Sequence, residues 1–412
     1  MAGLILDPLT LDPLETRSPA ARADDLAETL PRVLAHAMTA PGFGALLAGV
    51  DPAAVRDRAA LARLPVLRKA ALAEAQASSP PFGGFAARLP HDFAHVFQSP
   101  GPIYEPGQRG GDWWRIGRFL RAAGIGPGDI VQNCFAYHLT PAGLMFENGC
   151  EAVGAAVLPA GPGQTELQVQ AAVAVGTTAY AGTPDYLKVL LDAAEAAGAR
   201  LSIAKAAVSG GALFPALRQA YAERGIACLQ CYATADLGLI AYESLPGEPM
   251  IVDEGVVVEI VRPGTGDPVP DGEVGEVVVT TFNPDYPLIR FATGDLSAVA
   301  AGTSPCGRTN QRLRGWMGRA DQTAKVKGMF VRPEQVAAFV ARHPEVARAR
   351  VVVERAGDQD ALRVLVETAG ADPERLAEGI RETLKLRGAV EILPPGSLPN
   401  DGKVIEDLRK YA

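Results

Sequence analysis

Between Asp112 and Cys231 the sequence alternates short apolar runs with longer segments of helical spacing, and this rhythm restricts the chain to few architectures. Residues 112–123 read as a helix ending at Gly124, and Gly128 opens a strand that runs on to Ala136. A helix through Leu144 and Phe146 follows, then a strand at 155–159, a helix at 165–175, a strand at 178–181 and a helix at 184–197. A strand at 206–209, a helix at 214–224 and a strand holding Cys228 and Cys231 extend the series. Parallel strands need crossover helices, so this alternation predicts a parallel sheet covered by helices on both faces. Ligands of such sheets lie outside the carboxyl ends of the strands.

The flanking segments have other rhythms. Residues 16–80 carry helical spacing broken by Pro41, Pro52 and Pro65, which suggests short helices capping the sheet. Strands at 251–261 and 273–280, separated by a Pro/Gly-rich turn, form a small β-rich section. From Phe330 the order is strand, helix (333–342), strand (349–354), strand (361–368), helix (372–386), strand (389–393), a compact α+β unit. Before it, Gly315–Pro333 presents two Arg, two Lys and one Asp on glycine-bearing backbone, as a hinge beside an anionic ligand would. The expectation is an α/β protein with a large N-terminal α/β domain of parallel sheets and a small, mobile α+β C-terminal lid. Its parts are residues 1–90 as a helical portion of the large domain, 91–319 as the core and 320–412 as the lid.

Composition excludes several classes. A formal charge of -8 with no long Lys/Arg run argues against a nucleic-acid partner. No apolar run approaches the roughly 18 residues of a spanning helix, and Asp7, Asp12 and Glu15 stand where a signal peptide would be basic, so a cytoplasmic protein without a membrane partner is expected. Five cysteines scattered over a large chain fit a reducing compartment. Cys228 and Cys231 lie three apart on a strand, hence on opposite faces, and read as structural thiols rather than metal ligands.

The chemistry-bearing residues fall at strand ends. Val208-Ser-Gly-Gly-Ala-Leu213 closes one strand with two glycines that let a flat ligand approach the backbone, although a plain turn reads the same way. Tyr232, Thr234 and Asp236 could stack a planar base, hydrogen-bond a phosphate and hold a hard cation; a core tyrosine and a helix-capping aspartate are the bland alternative. Arg290-Phe-Ala-Thr-Gly-Asp295 could hold ribose hydroxyls or be an ordinary Gly-Asp turn. Leu398–Lys403 is a turn tipped by a lysine. Phe135, Tyr137, His138 and Gly182 also stand at strand ends, where the wall of a ligand pocket and plain core packing read equally well.

In this order along the chain the motifs resemble the adenylate-forming enzymes, and more closely the phenylacetate-CoA ligase family. The segment 150–168 and Ala181-Gly-Thr-Pro-Asp-Tyr186 resemble that family's text, and Gly318–Gly328 its hinge motif. The resemblance implies that Tyr232 stacks on adenine, lined by the Ser209–Ala212 loop with Gly210, Gly211 and Ala212. Thr234 would face the α-phosphate and Asp236 would hold Mg2+ where the family usually has Glu. Asp295 would bind the ribose, with Arg319 near the ribose or phosphates. Lys403 would bridge the carboxylate and α-phosphate, and Asp321 would be the pivot that swings it out and brings the Gly328 side in for CoA, with Lys325 among the cofactor-binding residues.

One stretch departs from the family pattern. Where a Ser/Thr/Gly-rich phosphate loop ending in a cation is expected, the chain reads Ser99-Pro-Gly-Pro-Ile-Tyr-Glu-Pro106. Pro100 and Pro102 lack backbone donors, and Glu105 is expected to place a negative charge near pyrophosphate. Ala233 replaces the family's Gly. The resemblance implies an ATP-dependent acid:CoA ligase acting on an aromatic or arylacetic acid, with ATP, Mg2+ and CoA as cofactors and a homodimer as a possible assembly. An adenylating enzyme with another acceptor, or a non-catalytic nucleotide- or acyl-binding relative, stands as the alternative.

Overall fold

The computed structural model describes residues 10–320, 322–326, 329–356 and 359–409. The chain divides into two compact units, the first comprising Met1–Val258, Val279–Phe291 and Ala300–Gly315, the second Glu259–Val278, Ala292–Val299 and Trp316–Ala412. The strands Val256–Val261, Gly275–Thr281 and Phe291–Ser297 each contain a crossing point, so the division does not fall at one place in the chain.

A nine-stranded sheet organises the first unit. Its parallel part has the order Ala156–Pro159, Ile130–Asn133, Ala179–Gly182, Lys205–Val208 and Ala227–Thr234. Helices Ala142–Val153, Thr165–Val175, Pro184–Ala196 and Pro215–Glu223 make the crossovers. Gly238–Tyr242 then adds antiparallel to Ala227–Thr234, and Met250–Val252 antiparallel to it in turn. One core cluster gathers Phe119, Val131, Phe146, Leu229 and Cys231. Another gathers Tyr180, Leu187, Val208, Tyr221 and Cys228. The two cysteines therefore serve different faces of their strand, and all five are buried free thiols. Burial pushes the thiols of Cys228 and Cys231 up to about 12, consistent with packing rather than ligation.

Two expectations need correction. The helix at 112–123 begins only at Ile116, because Asp112 and Arg115 adopt φ of 48° and 65°. Asp112 Oδ2 accepts from Gly117 N at 2.9 Å, so that carboxylate caps the helix instead of entering it. The single strand at 251–261 is two strands in different sheets, Met250–Val252 and Val256–Val261. The break is set by Asp253, fully buried, which accepts from Arg115 at 2.9 Å and Arg118 at 3.0 Å and from Gly255 N at 2.9 Å.

The second unit holds a four-stranded sheet of order Ala389–Leu393, Gln359–Thr368, Val346–Ala356, Ile405–Asp407. Helices Pro333–Arg342 and Pro373–Leu384 bury Phe339, Val336, Leu376 and Ile380 in a core with Val351, Val353 and Val364. Ile405–Asp407, parallel to Val351–Val353, is absent from the sequence reading because three residues are too few for periodicity to register. No helix among the described residues is long and apolar enough to cross a membrane.

Candidate active site

The strand ends of the first unit bring most of the expected residues together. Ser209 follows Lys205–Val208, is buried, and donates from Oγ to the Cys231 carbonyl at 3.0 Å, tying two adjacent strand ends. Gly210 has φ 71°, a left-handed turn that suits glycine, while Gly210, Gly211 and Ala212 are exposed. A Cβ on Gly210 would lie 3.7 Å from Thr183 and 3.8 Å from Phe135, so this loop borders the expected acyl wall. Phe135 stacks on Phe146 at 4.4 Å and 29°. Asn133 Nδ2 donates to Tyr137 Oη at 2.7 Å, and burial together with Glu147 raises the phenol's pKa. Gly182 is buried, and a Cβ there would fall 2.2 Å from Tyr180 Oη. His138 is exposed on the loop beyond the strand.

Tyr232, Thr234 and Asp236 sit where Ala227–Thr234 doubles back into Gly238–Tyr242. Thr234 Oγ1 accepts from Leu237 N at 3.2 Å, and Gly238, at φ 72°, passes so close to Trp114 that a Cβ would lie 2.6 Å from its carbonyl oxygen. Asp236 thus lies in a hairpin turn and caps no helix, and Tyr232 is half-buried rather than core. The Asp236 side chain is 1% exposed, with Lys69 Nζ at 3.0 Å from Oδ2.

The atypical stretch forms a β-hairpin, His95–Ser99 against Ile103–Gly107, turned by Pro100-Gly101-Pro102. Glu105 does not present the expected negative charge. It is 1% exposed, accepts from Ser99 Oγ, and is raised to about 8 by burial and then by Asp236, so it is a neutral acid at pH 7. Tyr286, also 1% exposed, lies within electrostatic reach of both carboxyls. Lys69 and Tyr286 are thus residues beside Asp236 that sequence reasoning missed, and Ser99, which opens the atypical stretch, bonds Glu105. No single-chain pattern links positions 69 and 236, since Lys69 merely opens the helix Lys69–Ser78.

In the second unit Asp295 lies inside the strand Phe291–Ser297 rather than in a turn. It is bridged to Arg319, accepting from Arg319 Nη1 at 2.9 Å and from Trp316 Nε1 at 3.0 Å on Oδ1. The structure therefore joins the two residues expected at the ribose. Lys325 pairs with Phe330 in the hairpin Ala324–Val326/Met329–Val331; Asp321 and Gly328 lie outside the described residues. Lys403 is half-exposed and pairs with Glu406 at 3.0 Å, so the tip lysine is not alone. Arg350 Nε donates to the Lys403 carbonyl at 3.0 Å, holding the backbone while the ammonium stays at the surface. An exposed pair of that kind is worth about 0.5 kcal/mol and does not fix the side chain.

No family model matches the chain. It is 30% identical to the phenylacetate-coenzyme A ligase of Thermus thermophilus over 93% of this chain and 96% of that protein. It is also 30% identical to that of Escherichia coli K12 over 87% and 85% respectively. A crystal structure of 2-hydroxyisobutyryl-CoA ligase in the postadenylation state, in complex with an acyl adenylate, superposes with a TM-score of 0.71 at 25% identity, covering 96% of this chain and 91% of that one. The same ligase with acyl adenylate and CoA in the thioesterification state gives 0.69 at 25%, with the same coverage.

Proposed function

Because the chain belongs to the phenylacetate-CoA ligase family of adenylate-forming enzymes, we propose that its acid substrate is aromatic or arylacetic and that its strand-end residues carry the chemistry. The enzyme is an AMP-forming acid:CoA ligase that uses ATP and CoA. A substrate carboxylate oxygen bonds to the α-phosphorus as the bond to pyrophosphate breaks; the CoA sulfur then bonds to the acyl carbon as AMP departs. Both attacking carboxylate and polyphosphate are anions, so positioned cations and donors must meet the developing charge.

Each residue's part is the one that the family resemblance implies. Tyr232 stacks on adenine, and the exposed backbone of Gly210, Gly211 and Ala212 lines the base. Thr234 donates to the α-phosphate. Asp295 holds the ribose hydroxyls beside Arg319. Lys403 supplies the ammonium of the adenylation half-reaction, and Asp321 is the pivot for the change to thioester formation, with Lys325 and Gly328 serving CoA. Asp236 fits Mg2+ because its buried Oδ1 has no hydrogen-bond partner and is a hard oxygen. The ion would neutralise polyphosphate charge. Phe135, stacked on Phe146 next to the Gly210 turn, supports an aromatic acid, with Tyr137, His138 and Gly182 as the other walls.

The observation that carries this reading is a likeness coextensive with both chains, 93% and 96%. The test is pyrophosphate release with a panel of aryl and arylacetic acids, with and without CoA. Acid-dependent release whose turnover needs CoA is expected. Release indifferent to CoA would point to another acceptor, and nucleotide binding without release would reduce the chain to a non-catalytic relative.

A further inference from the structure

The turn at 398–403 is held from two directions, and the two sets of bonds span different lengths of chain. One set comes from residues that follow position 321. Gln322 Oε1 accepts from Val404 N at 2.6 Å and from Ile405 N at 2.9 Å, and its Nε2 donates to the Gly402 carbonyl at 3.3 Å. Arg348 donates to the Leu398 carbonyl at 3.3 Å and to the Pro399 carbonyl at 3.2 Å. The other set reaches far back. Asn400 Nδ2 donates to the Gly272 carbonyl at 3.1 Å, 128 positions away, and its Oδ1 accepts from Val274 N at 2.9 Å. Gly402, at φ 68°, lies so close to Val274 and Leu296 that a Cβ would fall 2.8 Å from Val274 Cγ1 and 3.0 Å from Leu296 Cδ2. Leu296 follows Asp295, whose carboxylate accepts from Arg319, and the Arg319 carbonyl accepts from the same Gln322 Nε2 at 3.0 Å. The backbone that carries Lys403 is thus seated beside the Asp295–Arg319 pair by two Asn400 bonds and by a contact that suits only glycine.

We propose that Asn400 is a positioning residue for Lys403: its paired bonds to Gly272 and Val274 hold the lysine turn in the adenylating arrangement, and their release frees it for thioester formation. This rests on the readings of Lys403 as the adenylating ammonium and of Asp321 as the pivot. Gly272, Val274 and Leu296 precede that position and Asn400 and Gly402 follow it, so a rotation there parts Asn400 from both partners. The bonds that Gln322 and Arg348 make to the turn travel with it. The Lys403–Glu406 pair has no such role, because both members lie on the same side of the pivot. The strength suits a reversible clasp. Asn400 is exposed, so water replaces both partners when it lets go, and two neutral bonds together bias the equilibrium by roughly five- to thirtyfold. Asparagine fits the task because one planar amide offers a donor and an acceptor side by side, to the C=O of one residue and the N–H of the next but one.

The test separates the half-reactions in full-length protein, using the most active acid of the aryl and arylacetic panel: pyrophosphate release with acid and ATP but no CoA, and CoA consumption with the supplied acyl adenylate. Asn400→Ala should slow the first roughly three- to fifteenfold, the range for two arrangements about equally populated in the wild type, and leave the second as fast or faster. KM for ATP and acid should stay about unchanged. Equal slowing of both half-reactions would mark a merely structural residue and overturn the proposal. Asp271→Cys with Asn400→Cys, joined by a short bis-maleimide, supplies the converse and decides the matter if Asn400→Ala folds poorly; all five native cysteines are buried. The tethered protein should release pyrophosphate in a first turnover and consume no CoA, against singly substituted proteins treated alike. Wild-type adenylation in Asn400→Ala, or thioester formation by the tethered protein, would overturn the role of Asn400. The lysine reading survives those results where Lys403→Ala abolishes adenylation. Lys403→Ala without effect would sink that reading, and the proposal with it.

Discussion

Glu105→Gln should change how the protein's stability depends on pH. The carboxyl is raised from 4.5 to about 8, first by burial and then by the Asp236 charge. The folded chain therefore holds a proton that the unfolded chain has released between those values. Stability from this group is complete below the unfolded pKa and is lost as pH rises through the folded one. At about 1.4 kcal/mol per pH unit, the interval from about pH 5 to pH 8 represents a ceiling near 4 kcal/mol, and about 2 if the site relaxes as the carboxylate forms. Glutamine is close in shape to the neutral acid and does not titrate, so the two proteins should be about equally stable at pH 5. By pH 8 the wild type should have lost that much more than the variant. At roughly 2 °C per kcal/mol for a chain of this size, the melting temperatures should diverge by about 4–8 °C. Calorimetry in chelator-treated buffer between pH 5 and 8.5 measures it. Parallel profiles for the two proteins would refute the buried neutral acid.

Three further outcomes follow from particular contacts. Gly238→Ala places a Cβ 2.6 Å from the Trp114 carbonyl oxygen at a left-handed φ, and should cost about 2–4 kcal/mol in denaturant midpoint analysis; a loss under about 0.5 would mean the hairpin turn shifts freely. Glu15→Leu removes the buried carboxylate that accepts from Arg308 Nε at 2.5 Å and from Tyr242 Oη at 2.8 Å, and should cost about 3–5 kcal/mol, part of it recovered by adding Arg308→Met; additive losses in the double variant would contradict the pairing. Lys403→Ala should abolish acyl-adenylate formation yet spare thioester formation from supplied adenylate, read as pyrophosphate release against CoA consumption; equal loss of both half-reactions would count against its assigned role.

Much of the architecture was legible because periodicity is a local property. The helices at 165–175 and 333–342 and the strand at 389–393 have the expected bounds, and the strand alternation gave the parallel sheet. What failed depended on partners distant in sequence. Met250–Val252 and Val256–Val261 separate because Asp253 is claimed by Arg115 and Arg118, more than a hundred positions away. The Asp295–Arg319 pairing was legible only as two motifs, since each residue alone fits a turn or a hinge. Lys69 left no trace at all: a lysine opening a helix is unremarkable until the fold brings Asp236 to it.

The charge balance around Asp236 changes what the altered loop means for phosphate binding. Read as sequence, Glu105 adds an anion where pyrophosphate should sit. In the fold its carboxyl is neutral at pH 7, and the Asp236 charge is matched by Lys69, so this part of the site carries no net negative charge against an incoming polyphosphate. At an effective dielectric near 20, one uncompensated anion 4 Å from a phosphate oxygen would cost about 4 kcal/mol, and that penalty is absent. The chain has lost donors instead: Pro100 and Pro102 have no N–H, and Ser99 spends its hydroxyl on Glu105. Each lost neutral donor is worth about 1 kcal/mol, a deficit that one well-placed cation contact can offset. On the proposed reading, the departure from the family's loop therefore weakens directional grip on the outer phosphates without repelling them, and it moves the discrimination for nucleotide toward whatever cation accompanies it.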